Sequence, residues 1–140
     1  MNILRLNLLA PIHYRLLKGF DPFEYSGENG EMLFCFELDK SQSLSFEPDP
    51  QTLLGILVFG GIALKDVPDE PKTDLLELPG GNYIFAQKQE LLNRDEIIAM
   101  ALEIQKEGLW QRLKPGERLY LRYLFEDGSV VTQLYRPYKN

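Results

Sequence analysis

Apolar and polar positions alternate loosely from Ile3 to Leu9, predicting a first strand, and His13 to Leu17 reads as a second, with Pro11 as punctuation between them. Ser26 to Gly30 is a cluster of turn formers ending in Asn-Gly, a strong hairpin signal. Glu31 to Leu38 fits two templates: a buried strand, or a helix whose apolar face carries Met32, Leu33 and Phe36. Phe46 to Pro50 holds two prolines and reads as a loop, because the residue before a proline is pushed out of the helical region. Leu53 to Leu64 is an apolar run interrupted by Gly55, Gly60 and Gly61, which predicts a central strand with a bulge or bend. Lys65 to Thr73 predicts an exposed loop, followed by strands at Asp74 to Leu78 and Asn82 to Gln87 with Pro79-Gly80-Gly81 turning between them.

One helix is clearly signalled. Asn93 is a good N-cap with Glu96 placed to close a capping box, and Ile97, Ala101 and Ile104 form an apolar stripe that Ile98 and Met100 widen. Gly108 is the expected residue just past its end. The strongest strand signal is the hairpin of Leu119 to Phe125 and Val130 to Arg136, flanking an Asp127-Gly128 turn. Strands, one helix, then a hairpin predict an α+β fold with an antiparallel sheet.

The chain has 140 residues, which is one domain, and 44% hydrophobic with 26% charged residues is an ordinary globular balance. The formal charge of −6, with scattered basic residues, argues against a nucleic-acid or anionic-membrane partner. A lone cysteine, Cys35, within an apolar run predicts a small buried hydrophobe and excludes an intrachain disulfide. Arg5 and Asn7 interrupt any signal-peptide core, and the longest uncharged stretch, Pro50 to Leu64, is shorter than the ~18 residues of a membrane span. A cytoplasmic protein is expected.

Most common chemistries lack their residues. There is no phosphate-binding glycine loop, no GxSxG elbow, no HExxH and no second histidine beside His13, so neither metal nor cofactor is expected. Asp21 and Glu24 read as a solvated loop rather than a catalytic carboxylate pair. Arg122 and Arg136, on opposite hairpin arms, fit either a small anion-attracting patch or ion pairs with Glu117, Glu126 or Asp127. The acidic stretch Asp66 to Asp74 fits a solvated surface or one that steers a basic partner.

Four stretches carry a family resemblance: Phe59 to Leu64 with the Asp/Pro-rich segment after it; Leu76-Glu77-Leu78-Pro79-Gly80-Gly81-Asn82-Tyr83-Ile84-Phe85; Leu119 to Leu124; and Leu134-Tyr135-Arg136-Pro137. In this order, around a helix, they resemble the gyrase-inhibitory-protein-like (GyrI-like) family, which shares its fold with bacterial effector-binding domains. The resemblance implies a single domain over 1–140, built of two βαββ halves that form a ligand cleft. Residues 1–58 would be the poorly matching first half, with its helix at Glu31 to Leu38, and 59–140 the second.

By resemblance, Tyr83, Phe85, Leu121 and Tyr123 line the cleft and Trp110 walls it; core aromatics are the plainer alternative for the same residues. Leu121 stands where cation-binding relatives have a glutamate, which points to a neutral aromatic ligand. The expected protein is therefore a stand-alone, non-enzymatic binder of a small organic molecule. The alternative is an interaction or inhibitor module that engages a larger protein through an acidic surface. An enzyme would need an acid or base in the cleft, for which Glu37 and Glu77 are the visible candidates.

Overall fold

A computed structural model describes residues 3–17, 30–40, 43–51, 53–64, 74–126 and 128–139. The predicted Ser26 turn, the Lys65 to Thr73 loop, and Asp21 and Glu24 therefore lie outside the described residues, Gly30 apart. In chain order the elements are β1 (Ile3–Leu8), β2 (Ile12–Leu17), β3 (Gly30–Glu37), β4 (Ile56–Leu64), β5 (Asp74–Leu78), β6 (Gly81–Lys88), α1 (Arg94–Trp110), β7 (Lys114–Pro115), β8 (Arg118–Glu126) and β9 (Ser129–Lys139). The α+β expectation holds: one helix among the described residues packs on a large antiparallel sheet.

The sheet runs β1-β6-β9-β8-β3-β4-β2-β5, with β7 added against β9. This order reads the same from either end when β1, β2, β3 and β4 are exchanged with β5, β6, β8 and β9. The two sets meet at the β3–β8 pair, where Phe34 lies opposite Leu121. The symmetry divides the chain between Leu64 and Asp74, whereas a boundary at 58/59 falls inside β4. It also corrects the helix expected at Glu31 to Leu38. That segment is the strand β3, and the connection equivalent to α1 is 18–29, outside the described residues.

Short links force the sheet to curl. Laid flat, β1 and β2 would be six strand spacings apart, roughly 29 Å, yet the path from Leu8 to Ile12 spans at most ~14 Å. Leu78 to Gly81 imposes the same closure on β5 and β6. The two faces become an outside, covered by α1, and an inside.

On the outside, Met32, Phe34, Phe36, Ile84, Leu121, Tyr123 and Leu134 meet Ile97, Ala101 and Ile104 of α1. Leu38, Leu53 and Leu54, at the two ends of the β3–β4 connection, join this core. Arg136 pins that connection. Fully buried, it donates from Nε to the Gly116 carbonyl at 2.6 Å, from one terminal nitrogen to Gln105 Oε1 at 3.0 Å, and from the other to the Ser43 carbonyl at 2.8 Å.

Asn93 caps α1 and the Glu96 capping box closes as expected. The predicted stop at Gly108 is overrun, and Gln111 is the C-cap. Gly108 is there for space: a Cβ would lie 2.4 Å from the Ile84 side chain, so glycine lets α1 settle onto β6. In β4 the register slips between Cys35 and Phe36, leaving Val58 as the extra residue of the expected irregularity. The final hairpin closes between Glu126 and Ser129, with Gly128 at φ +79°.

Candidate functional site

The inside of the curl is an aromatic box. Strand alternation aims every second residue inward, and the registers Cys35↔Tyr120, Tyr120↔Tyr135 and Phe85↔Tyr135 line these groups up across β3, β8, β9 and β6. Tyr83 stands beside them, its ring edge-on to Tyr120 at 6.3 Å and to Tyr135 at 5.6 Å, while Phe85 lies 4.9 Å from Tyr135. Phe59 reaches Tyr120 from β4 at 6.4 Å. Tyr14, from β2 near the far end of the sheet, is brought into the same cluster by the closure. Such offset, edge-to-face geometry is what ring quadrupoles favour.

One row further along sits a largely buried charge pair. Arg122 grips both carboxylate oxygens of Glu31 at 3.0 Å through one terminal nitrogen and donates from Nε to Oε2 at 3.2 Å. It also donates to the Tyr135 hydroxyl at 3.2 Å, and that hydroxyl donates to Gln133 Oε1 at 2.6 Å. Its guanidinium lies over the Tyr14 ring, 5.8 Å from the centroid. The inside is thus a stack of rings ending in a neutralised ion pair with oriented hydroxyls.

Burial sets the ionisation here. Desolvation first, then the neighbouring Glu31 carboxylate, push the Tyr14 hydroxyl far above the usual tyrosine range. Desolvation also raises Tyr83, Tyr120 and Tyr135 and pushes the Cys35 thiol up to about 11. At neutral pH these groups are protonated, so Cys35 is no thiolate nucleophile.

The sign of the resulting linkage is fixed. Above the ordinary values of 9.0 for cysteine and 10.0 for tyrosine, the unfolded chain gives up protons that the native protein retains, so stability is lost as pH rises. Arg136 opposes this: burial lowers it to about 10 from 12.5, which adds stability as pH climbs through that window. It is one group against five. Thermal midpoints measured across the alkaline range are expected to be full below pH 9 and to fall steeply above pH 10, with the absorbance of the four buried tyrosinates, Tyr14, Tyr83, Tyr120 and Tyr135, appearing in step with unfolding. A gradual titration of all seven tyrosines in a still-folded protein would contradict this.

The structure divides the residues expected at the site. Tyr83 and Phe85 face inward and share the box. Leu121 and Tyr123 face outward beneath α1, on the other side of the sheet from them. Trp110 lies on neither face; it ends α1 and is 78% exposed. Arg122 and Arg136 point to opposite faces and form no common patch: the first pairs with Glu31, and the second lies under α1. Glu37 and Glu77 are exposed, the latter 3.6 Å from His13.

Sequence reading missed Tyr14, Glu31, Tyr120, Tyr135 and the inward direction of Arg122. The available signal was parity: on β8 the inward residues are Tyr120 and Arg122, one step out of phase with Leu121 and Tyr123.

No family model matches the chain, and no curated protein does. Among solved structures, SAV2435 bound to tetraphenylphosphonium is similar in fold, with a TM-score of 0.58 at 12% sequence identity, covering 100% of this chain and 95% of that one.

Proposed function

We propose that this chain binds a small organic molecule inside the curled sheet, and that its ligand is neutral and aromatic. The observation that carries this reading is the box itself: Tyr14, Tyr83, Phe85, Tyr120 and Tyr135 gathered around an Arg122–Glu31 pair that already neutralises the inward carboxylate. Apolar rings with a few fixed polar tips are the usual make-up of an organic-ligand site. A cation would have to compete with Arg122 for Glu31, and an anion with Glu31 for Arg122. A neutral ring with a donor or acceptor pays neither penalty. The fold likeness to a protein solved with tetraphenylphosphonium supports small-molecule binding, while the ion pair, already neutralised, supports a different charge preference.

Binding is favoured over catalysis because the buried tyrosines and Cys35 keep their protons at neutral pH, which leaves none of them as a ready base or nucleophile. The rings pack on each other, so a ligand must displace side chains, and slow association is expected.

A thermal-shift screen against neutral, anionic and cationic aromatic compounds tests the proposal. A ligand at 100 times its dissociation constant adds about 2.7 kcal/mol. Neutral hits are expected, with affinity lost in Tyr83→Ala and weakened in Tyr135→Phe. Hits whose affinity is untouched by both changes would sink this site.

A further inference from the structure

A second feature lies on the outer side of the sheet. The C-terminal half of α1 and the β3–β4 connection enclose a groove of about 460 Å³ lined by Phe46, Glu47, Glu103, Lys106, Glu107 and Trp110. Its two aromatic residues are exposed, Trp110 at 78% and Phe46 at 52%. Scattered exposed hydrophobes are ordinary, but these two wall one groove. The groove is also built to last. Gln105 of α1 donates to the Ser45 carbonyl at 2.6 Å, and Arg136 holds the Ser43 carbonyl, so the loop bearing Phe46 is tied to the helix bearing Trp110.

We propose that this groove docks a basic, apolar segment of a partner protein. An aliphatic or aromatic side chain of the segment packs between Phe46 and Trp110, and its neighbouring lysines or arginines meet Glu47, Glu103 and Glu107. Charge complementarity selects this occupant: carboxylates outnumber the single ammonium of Lys106 three to one, and Trp110 offers a ring face to a cation. The same charge repels nucleic-acid phosphates. It also disfavours a second copy of this chain, whose formal charge is −6. The site is independent of the aromatic box, which faces the other side of the sheet.

Trp110 is the only tryptophan, so its fluorescence reports occupancy directly. The probe is a synthetic lysine/leucine amphipathic peptide titrated into the full chain, with a glutamate/leucine counterpart as control. A saturable shift of Trp110 emission is expected with the lysine peptide alone. Phe46→Ala is expected to weaken it about tenfold, and Glu103→Gln/Glu107→Gln about fivefold with a flatter salt dependence. Phe46 and Glu103 are exposed and Glu107 is half-buried, and unchanged thermal midpoints will confirm folded variants.

No emission change with the lysine peptide, equal responses to both peptides, or affinity unaltered in the variants would each overturn the proposal. So would a shift produced by tetraphenylphosphonium but not by the peptide, which points to a small organic cation, or a shift on concentrating the protein alone, which points to self-association.

Discussion

Replacing Arg136 by methionine is expected to lower the unfolding free energy by about 3 kcal/mol, which for a domain of this size moves the thermal midpoint by about 10 °C. The side chain is 1% exposed and donates to three separate acceptors: the Gly116 and Ser43 carbonyls and Gln105 Oε1. Methionine fills much of the same space but leaves all three unsatisfied, at ~1–3 kcal/mol each, partly offset by no longer burying a charge. Among the described residues Arg136 has no carboxylate partner, and its lowered pKa arises from burial alone. It therefore acts through geometry, as a three-pronged clip from β9 to Gly116, α1 and the β3–β4 connection. Urea unfolding of the variant tests this, and a loss under 1 kcal/mol would mean the connection holds without it.

The second large effect concerns Glu31 and Arg122. Glu31→Leu leaves a buried guanidinium without its carboxylate and is expected to cost about 3–5 kcal/mol. Arg122→Met should cost a similar amount. The double variant Glu31→Leu/Arg122→Met is expected to recover most of the loss, because a well-packed apolar pair often replaces a buried ion pair at little net cost. Ligand affinity inside the box is not expected to recover with it. A double variant as unstable as the worse single one would show that the pair is needed for folding itself.

Local signals of the fold were plain in the sequence where one element supplies its own evidence. Asn93 with Glu96 announced α1, and Asp127-Gly128 between two β-rich arms announced the final hairpin. Residues 31–38 stayed ambiguous for a physical reason. β3 is the middle of the sheet and is buried on both faces, so Met32 to Phe36 form an unbroken apolar run without the alternation that betrays a half-exposed strand. Gly108 misled because its reason is tertiary, the room needed by Ile84.

The candidate site was legible only in part, because its members come from strands far apart in the chain. Tyr83 and Phe85 stood out as a same-face pair, but the parity of β8 depends on which neighbour it joins. Nothing near position 122 reveals a carboxylate at position 31. The curl that brings Tyr14 to Arg122 is likewise a property of the strand order.

That strand order has a consequence for how the molecule comes into being. Each half lends its first strand to the other: β1 pairs with β6, as Ile3 with Ala86, and β5 pairs with β2, as Leu78 with Ile12. The halves are clasped like two hands with exchanged fingers, and neither owns a complete sheet. Sequence-distant pairings such as Gly30 with Phe125 give a high contact order, so folding is slow for a chain of this length. On the ribosome β1 and β2 wait for β6 and β5, and β3 stays unpaired on one side until β8 of the C-terminal hairpin has emerged. Two chains synthesised side by side can also exchange β1, which makes a strand-swapped dimer the natural misassembly of this fold.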